Sequence, residues 1–190
     1  MWNRIKNQSF SKLAILAYNV LRMFLLKVLH HGNFKTSFIQ NIHPSTEISI
    51  CGGGQLELSH SIFTRRGVSL RTSGGHMIIG TCFFNQGCSV TCLKRIKIGD
   101  NCLFGPNVVI VDHDHDYHFL NTKRGSEYIC KEILIGKNVV IGANSVILKG
   151  SVIGDNAMIG AGSIVSGNVP ANSIYYNKCE RVKRSLPDSE

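Results

Sequence analysis

The sequence predicts an all-β solenoid with an N-terminal α-helical segment and one extruded loop. Three observations carry that prediction. Aliphatic or aromatic residues recur every six positions at Ile98, Phe104 and Ile110, and again at Ile135, Ile141, Ile147, Ile153, Ile159 and Val165. The fourth residue of each unit is Asn101, Asn107, Asn138, Asn144, Gly150, Asn156, Gly162 or Asn168, the types that tolerate positive φ. Glycine is abundant, 19 of 190 residues, while proline is scarce at 4, and the glycines carry no Gly-X-Y period. That combination fits a turn-rich β chain and excludes collagen. With 43% hydrophobic and 17% charged residues the chain is globular, and its length suits one core.

The first element, residues 1–40, is a basic amphipathic helical segment. No Asp or Glu occurs before Glu47, whereas Arg4, Lys6, Lys12, Arg22, Lys27 and Lys35 do. The apolar run from Leu13 to Leu29 exceeds strand length and is rich in Leu, Ala and Met, so it reads as a helix. Arg22 near its middle would cost about 2.5 kcal/mol or more in a bilayer core, which argues against a span. Two placements stay open for residues 10–30: packing on the rest of the protein or a sister subunit, or lying on an anionic membrane surface.

The second element, residues 41–172, is the solenoid. Its early part shows brief strands between frequent turns, as at Ile48-Ser49-Ile50, Leu56-Glu57-Leu58 and Met77-Ile78-Ile79. From Ile98 the six-residue unit sharpens: glycine follows the large residue at Gly99, Gly105, Gly136, Gly142, Gly154 and Gly160, and short or β-branched residues fill the fifth place. Each unit is one strand and one tight corner, so the chain winds as a prism, and stacking buries what a single unit cannot. Residues 114–133 break the pattern and form the extruded loop, which carries Lys123, Arg124, Gly125 and Ser126. In the unit before the break the fourth place holds His113, an imidazole at an expected corner. Residues 173–190 are a basic tail.

These repeats, with the segment IGANSVILKGSVIGDNAMIGAGSIV, resemble the hexapeptide-repeat acyltransferases. The stretch IGDNCLFGPNVVIVDHDHDYH, followed by a loop and ILIGKNVVIG, is similar to the bacterial sugar O-acetyltransferases of that superfamily, including those of surface polysaccharide synthesis. The resemblance covers residues 78–184 and implies a left-handed parallel β-helix of hexapeptide repeats, a homotrimer, and acetyl-CoA as co-substrate. It maps the catalytic histidine onto His113, where an imidazole with a free pKa of about 6.5 can take a proton from an alcohol attacking a thioester. His115 matches a second histidine that contacts substrate or supports the loop, and Asn85 matches an asparagine that hydrogen-bonds the acceptor hydroxyl. Asp112 and Asp114 flank the histidines as further acceptor-site candidates, and one aspartate or a backbone carbonyl could fix the His113 tautomer.

By the same resemblance the pantetheine arm of coenzyme A runs past Gly142, Ala143, Gly160 and Ala161, with amides near Ala143 open to an oxyanion, and Arg181, Lys183 and Arg184 form a basic rim for phosphate. The closing stretch Tyr175 to Arg181 departs from the family by lacking its glycine and proline. Rival readings are a serine or aminosugar acetyltransferase on the same scaffold, a trimeric scaffold without catalysis, and a metal protein like the γ-class carbonic anhydrases, whose ligand spacing His76, His113 and His118 loosely resemble. His118 falls in the irregular loop, so no metal site is expected. The formal charge of +9 is spread over helix, loop and tail without stacking aromatics, so nucleic acid is not the expected partner. An odd cysteine count of 7 and no secretion signal point to free thiols in the cytoplasm, with the inner membrane face as a peripheral location.

Overall fold

The structure, a computed structural model, describes residues 2–37, 39–59, 61–116 and 128–178, with side chains described from residue 13 onward. The chain winds as a three-sided parallel prism. Face one stacks Phe34–Lys35, Gln55–Leu58, His76–Ile79, Arg95–Ile98, Ile133–Ile135, Val152–Ile153 and Asn168–Val169 in that spatial order. Face two stacks Ile62–Thr64, Cys82–Phe84, Cys102–Phe104, Val140–Ile141, Met158–Ile159 and Ile174–Tyr175, and face three stacks Glu47–Cys51, Ser69–Ser73, Ser89–Cys92, Val109–Val111, Val146–Ile147 and Ile164–Val165. The chain visits face three, then one, then two, and returns, so the vertices are 3–1, 1–2 and 2–3.

The six-residue period sets this geometry. Ile98, Phe104, Ile110, Ile135, Ile141, Ile147, Ile153, Ile159 and Val165 are all buried along the prism axis. Phe84 and Phe104 stack there with ring centroids 4.4 Å apart. Corners fall where left-handed backbone is cheap: Asn101, Asn107, Asn138, Asn144 and Asn156 have φ between 56° and 60°, and Gly150 and Gly162 are also positive. The asparagine amides then form ladders between coils, Asn101 to Asn138 to Asn156 to Asn172 on the 1–2 vertex and Asn107 to Asn144 on the 2–3 vertex. Asn168, expected at a corner, is extended strand instead; Gly167 makes that turn at φ 97°.

The cysteines find a structural reason here. The thiols of Cys82, Cys88 and Cys102 donate to the carbonyls of Gly99, Gly105 and Gly136 on the next coil, as the Ser145 hydroxyl does to Gly160. Small donors at that place satisfy corner carbonyls that a purely apolar residue would leave bare.

Helix α1 (Trp2–Leu29) closes the first coil. Asn19 and Met23 are buried against it, Leu26 packs on the core, and the Arg22 guanidinium donates to the Thr46 carbonyl. No helix among the described residues is long and apolar enough to cross a membrane.

Candidate active site

The prism is interrupted at one vertex. After Val109–Val111 on face three the chain leaves as an antiparallel ribbon, His113–His115 pairing with Tyr128–Cys130, and re-enters face one at Ile133. The pairs are His113 with Cys130, Asp114 with Ile129 and His115 with Tyr128. His118 and the basic loop residues Lys123, Arg124, Gly125 and Ser126 lie outside the described residues.

Asp112 is the pivot. It was expected to line the acceptor site, but it is fully buried, and its carboxylate is occupied from inside. Oδ1 accepts from the Leu93 amide at 2.8 Å, and Oδ2 accepts from the Lys94 and Arg95 amides at 2.8 and 2.9 Å. Three successive N–H groups make a cradle for one anion. They come from the coil above, where Val90 and Ile98 stand eight residues apart in place of six, and this longer corner turns the three amides inward.

The remaining lone pair of Oδ1 faces His113 Nδ1 at 3.2 Å. An ionised carboxylate only accepts, so Nδ1 carries the proton and Nε2 of the neutral ring is left as a base. His113 is not a left-handed corner: it stands in ribbon strand, and its φ is not positive, because the chain leaves the prism here rather than turning. Its side chain is 14% exposed. The Tyr128 ring meets it edge-on, with centroids 5.1 Å apart at 86°, and also leans on His115 at 4.8 Å. Tyr128, itself 42% exposed, thus holds both imidazoles. Its sequence position, across a patternless loop from His113, carried no signal of that role.

Asp114 is exposed and accepts from the Lys149 ammonium of the next coil, which ties the ribbon base to the prism. Lys94 and Lys149 also lie within electrostatic reach of Cys130, whose thiol is nonetheless pushed up, first by burial and then by the Asp112 charge. His76, by contrast, bonds Glu57 at 3.1 Å on face one, and no three metal-ligating side chains converge among the described residues.

The expected coenzyme residues sit elsewhere. Gly142, Ala143, Gly160 and Ala161 lie together on the 2–3 vertex, and so does Asn85, whose Oδ1 accepts from its neighbour Gln86 N–H. Gly142 and Gly105 are forced by stacking: a Cβ on Gly142 would stand 2.5 Å from the Ala161 nitrogen, and one on Gly105 2.6 Å from that of Ala143. On the 1–2 vertex the equivalent amides of Thr81 and Lys137 are taken by Asp100 and Asp155 carboxylates. Alanine offers no such oxygen, and among the described residues the Ala143 and Ala161 N–H groups make no hydrogen bond. Arg181, Lys183 and Arg184 lie outside the described residues. Asn85 and the coenzyme residues do not share a vertex with His113; face three separates them, about five residues or 15 Å along a strand.

Known proteins place this architecture. Residues 132–167 match the family described as bacterial transferase hexapeptide (six repeats), and residues 95–111 match the hexapeptide repeat of succinyl-transferase. The chain is 39% identical over 95 residues to a galactoside O-acetyltransferase of Lactococcus lactis, covering 50% of this chain and 45% of that protein, so it spans about half of that relative's length. It is 34% identical over 136 residues to YvoF of Bacillus subtilis, a protein carrying a provisional acetyltransferase name, covering 67% of this chain and 70% of the relative. Among solved structures it superposes on AntD, an N-acyltransferase from Bacillus cereus in complex with dTDP and 3-hydroxybutyryl-CoA, with a TM-score of 0.63 at 18% identity over 80% of this chain and 82% of that one. The chain therefore belongs to the hexapeptide-repeat bacterial transferases, and its prism is their left-handed parallel β-helix.

Proposed function

We propose that this protein is an acetyl-CoA-dependent O-acetyltransferase that modifies a sugar hydroxyl in surface polysaccharide synthesis. The observation that carries the reading is the Asp112–His113 pair at the broken vertex: a buried anion fixes Nδ1–H and leaves Nε2 as a base beside an exposed aromatic ring. The acceptor hydroxyl attacks the thioester carbonyl carbon while Nε2 takes its proton. The buried Asp112 carboxylate stabilises the imidazolium so formed. The carbonyl oxygen gathers negative charge, for which an unpaired amide such as Ala143 N–H is a suitable donor. The carbon–sulfur bond then breaks, and the thiolate of coenzyme A receives the proton from Nε2. No acyl-enzyme is required.

The two halves of this machinery stand on different vertices of one prism, which supports a site completed between protomers of a homotrimer. His113 of one prism would face Asn85, Ala143 and Ala161 of the next. An outward column on face two fits that assembly: Phe63, Phe83, Leu103, Val140, Met158 and Ile174 run in register, with the Arg65 guanidinium over the two phenylalanine rings at one end. An apolar ladder of this kind is suited to a sister subunit.

The test is His113→Ala, with release of coenzyme A followed over a panel of sugars, nucleotide sugars, lipid-linked glycans, aminosugars and serine. Turnover on the preferred sugar is expected to fall by about 10² to 10⁴ with the oligomer intact. Undiminished turnover, or protein trapped with acetyl on a cysteine, would refute the mechanism. Preference for an amine or for serine would move the assignment to that acceptor.

A further inference from the structure

Helix α1 has two unlike sides. One side, with Asn19, Met23 and Leu26, is pressed onto the first coil. The other is an apolar stripe of Leu13, Leu16, Val20, Leu21, Phe24 and Val28, exposed by 38% to 67%. Their spacing of i, i+3, i+7, i+8, i+11 and i+15 sets them in one line along the helix, away from the docked side. A continuous exposed stripe of large apolar residues calls for a cover.

Charge indicates which cover. Six lysines and arginines and no acidic residue occur in the first 46 positions, so the segment that carries α1 is basic in sequence, while the acidic residues of the coil beneath it, Glu47 and Glu57, are paired with Arg71 and Lys35. A second copy of the same helix would bring like charges together, and face two already offers an apolar column for self-association. The remaining match for a stripe of leucine and phenylalanine flanked by basic residues alone is an anionic lipid surface. The helix is too polar to cross the bilayer and long enough to lie on it.

We propose that α1 is a peripheral membrane anchor. Its Leu13 to Val28 stripe sinks into the acyl boundary of a bilayer containing acidic phospholipid, to which the net positive charge of the segment draws it. In the trimer read above, a threefold axis along the prisms sets the three helices at the same end, so the contacts act together. That multiplication rests on the trimer reading; the binding of each helix does not.

The full chain is sedimented with vesicles of phosphatidylglycerol and phosphatidylcholine, and with vesicles of phosphatidylcholine alone. Binding is expected on the anionic vesicles and should weaken as salt is raised, since exposed charges are screened. Leu21→Glu and Phe24→Glu should each weaken it by about tenfold or more, while leaving the oligomeric mass and the rate on soluble sugars unchanged. Wild-type protein that stays in the supernatant at low salt overturns the proposal. So does a variant that loses its oligomeric state, because the stripe would then be covered by a sister subunit. A protein that binds vesicles but transfers acetyl to no acceptor refutes the functional reading and leaves the anchor standing.

Discussion

Replacing Asp112 with asparagine takes one acceptor out of a cradle that contains only donors. The new carboxamide must choose where its NH2 points. With NH2 in place of Oδ2 it confronts the Lys94 and Arg95 amides and forfeits two bonds; in place of Oδ1 it confronts the Leu93 amide and the His113 ring. Hydrogen bonds to a charged group contribute about 1.5–3 kcal/mol each, so the second orientation, which loses one amide bond, costs about 1.5–3 kcal/mol and is favoured. The NH2 then donates to Nδ1, which moves the imidazole proton to Nε2 and removes the base. Asp112→Asn is therefore expected to melt about 3–12 °C lower and to turn over about 10² to 10⁴ times more slowly at temperatures where it is fully folded. Coenzyme A release and thermal denaturation on one preparation separate the two effects. A variant whose rate falls only in proportion to its folded fraction would show that Asp112 anchors the coil without orienting His113.

Three further expectations follow from the packing. Burial, with the Asp112 charge behind it, pushes the Cys92 thiol from 9.0 up to about 12, and burial also raises Cys88. Alkylation of native protein at neutral pH should label exposed Cys51 first and leave Cys88 and Cys92 intact until unfolding, as peptide mapping would reveal. A raised thiol favours folding below the unfolded value and loses that contribution above it, so stability should fall as pH rises from about 9 towards 12; a flat profile there would count against both thiols being enclosed. Gly142→Ala drives a methyl to 2.5 Å from the Ala161 nitrogen and 2.7 Å from its Cα, both backbone atoms that cannot swing aside. Denaturant titration should find a loss of about 1–3 kcal/mol, and an unchanged midpoint would mean that the coils are not stacked this closely.

Much of the prism was legible because each unit repeats the same local need. Ile141, Ile147, Ile153 and Ile159 announce the interior, and asparagine announces the corner. Where coils depart from 18 residues the signal blurs. Val140 pairs with Met158, 18 positions on, but Ile62 pairs with Cys82, 20 positions on, and Ile153 with Val169, only 16 on. The longer early coils hide their period, and the shorter last one moves a corner from Asn168 to Gly167. At the proposed site His113 stands out in the sequence as the residue that breaks the repeat, but the groups that hold it do not. Asp112 is held by amides 17 to 19 residues earlier, and Tyr128 reaches His113 only because a ribbon folds back. Both contacts are long-range products of stacking, and no neighbouring residue foretells them.

The ribbon that leaves at Asp112 and returns at Ile133 gives the fold its largest departure from the coil count among the described residues. Elsewhere coils run from 16 to 22 residues, and the difference is taken up at the corners. Between His115 and Tyr128 the chain can lengthen, shorten or change composition without shifting a single rung, because it comes back to the vertex it left. That segment can therefore vary while the rest of the stack stays in step.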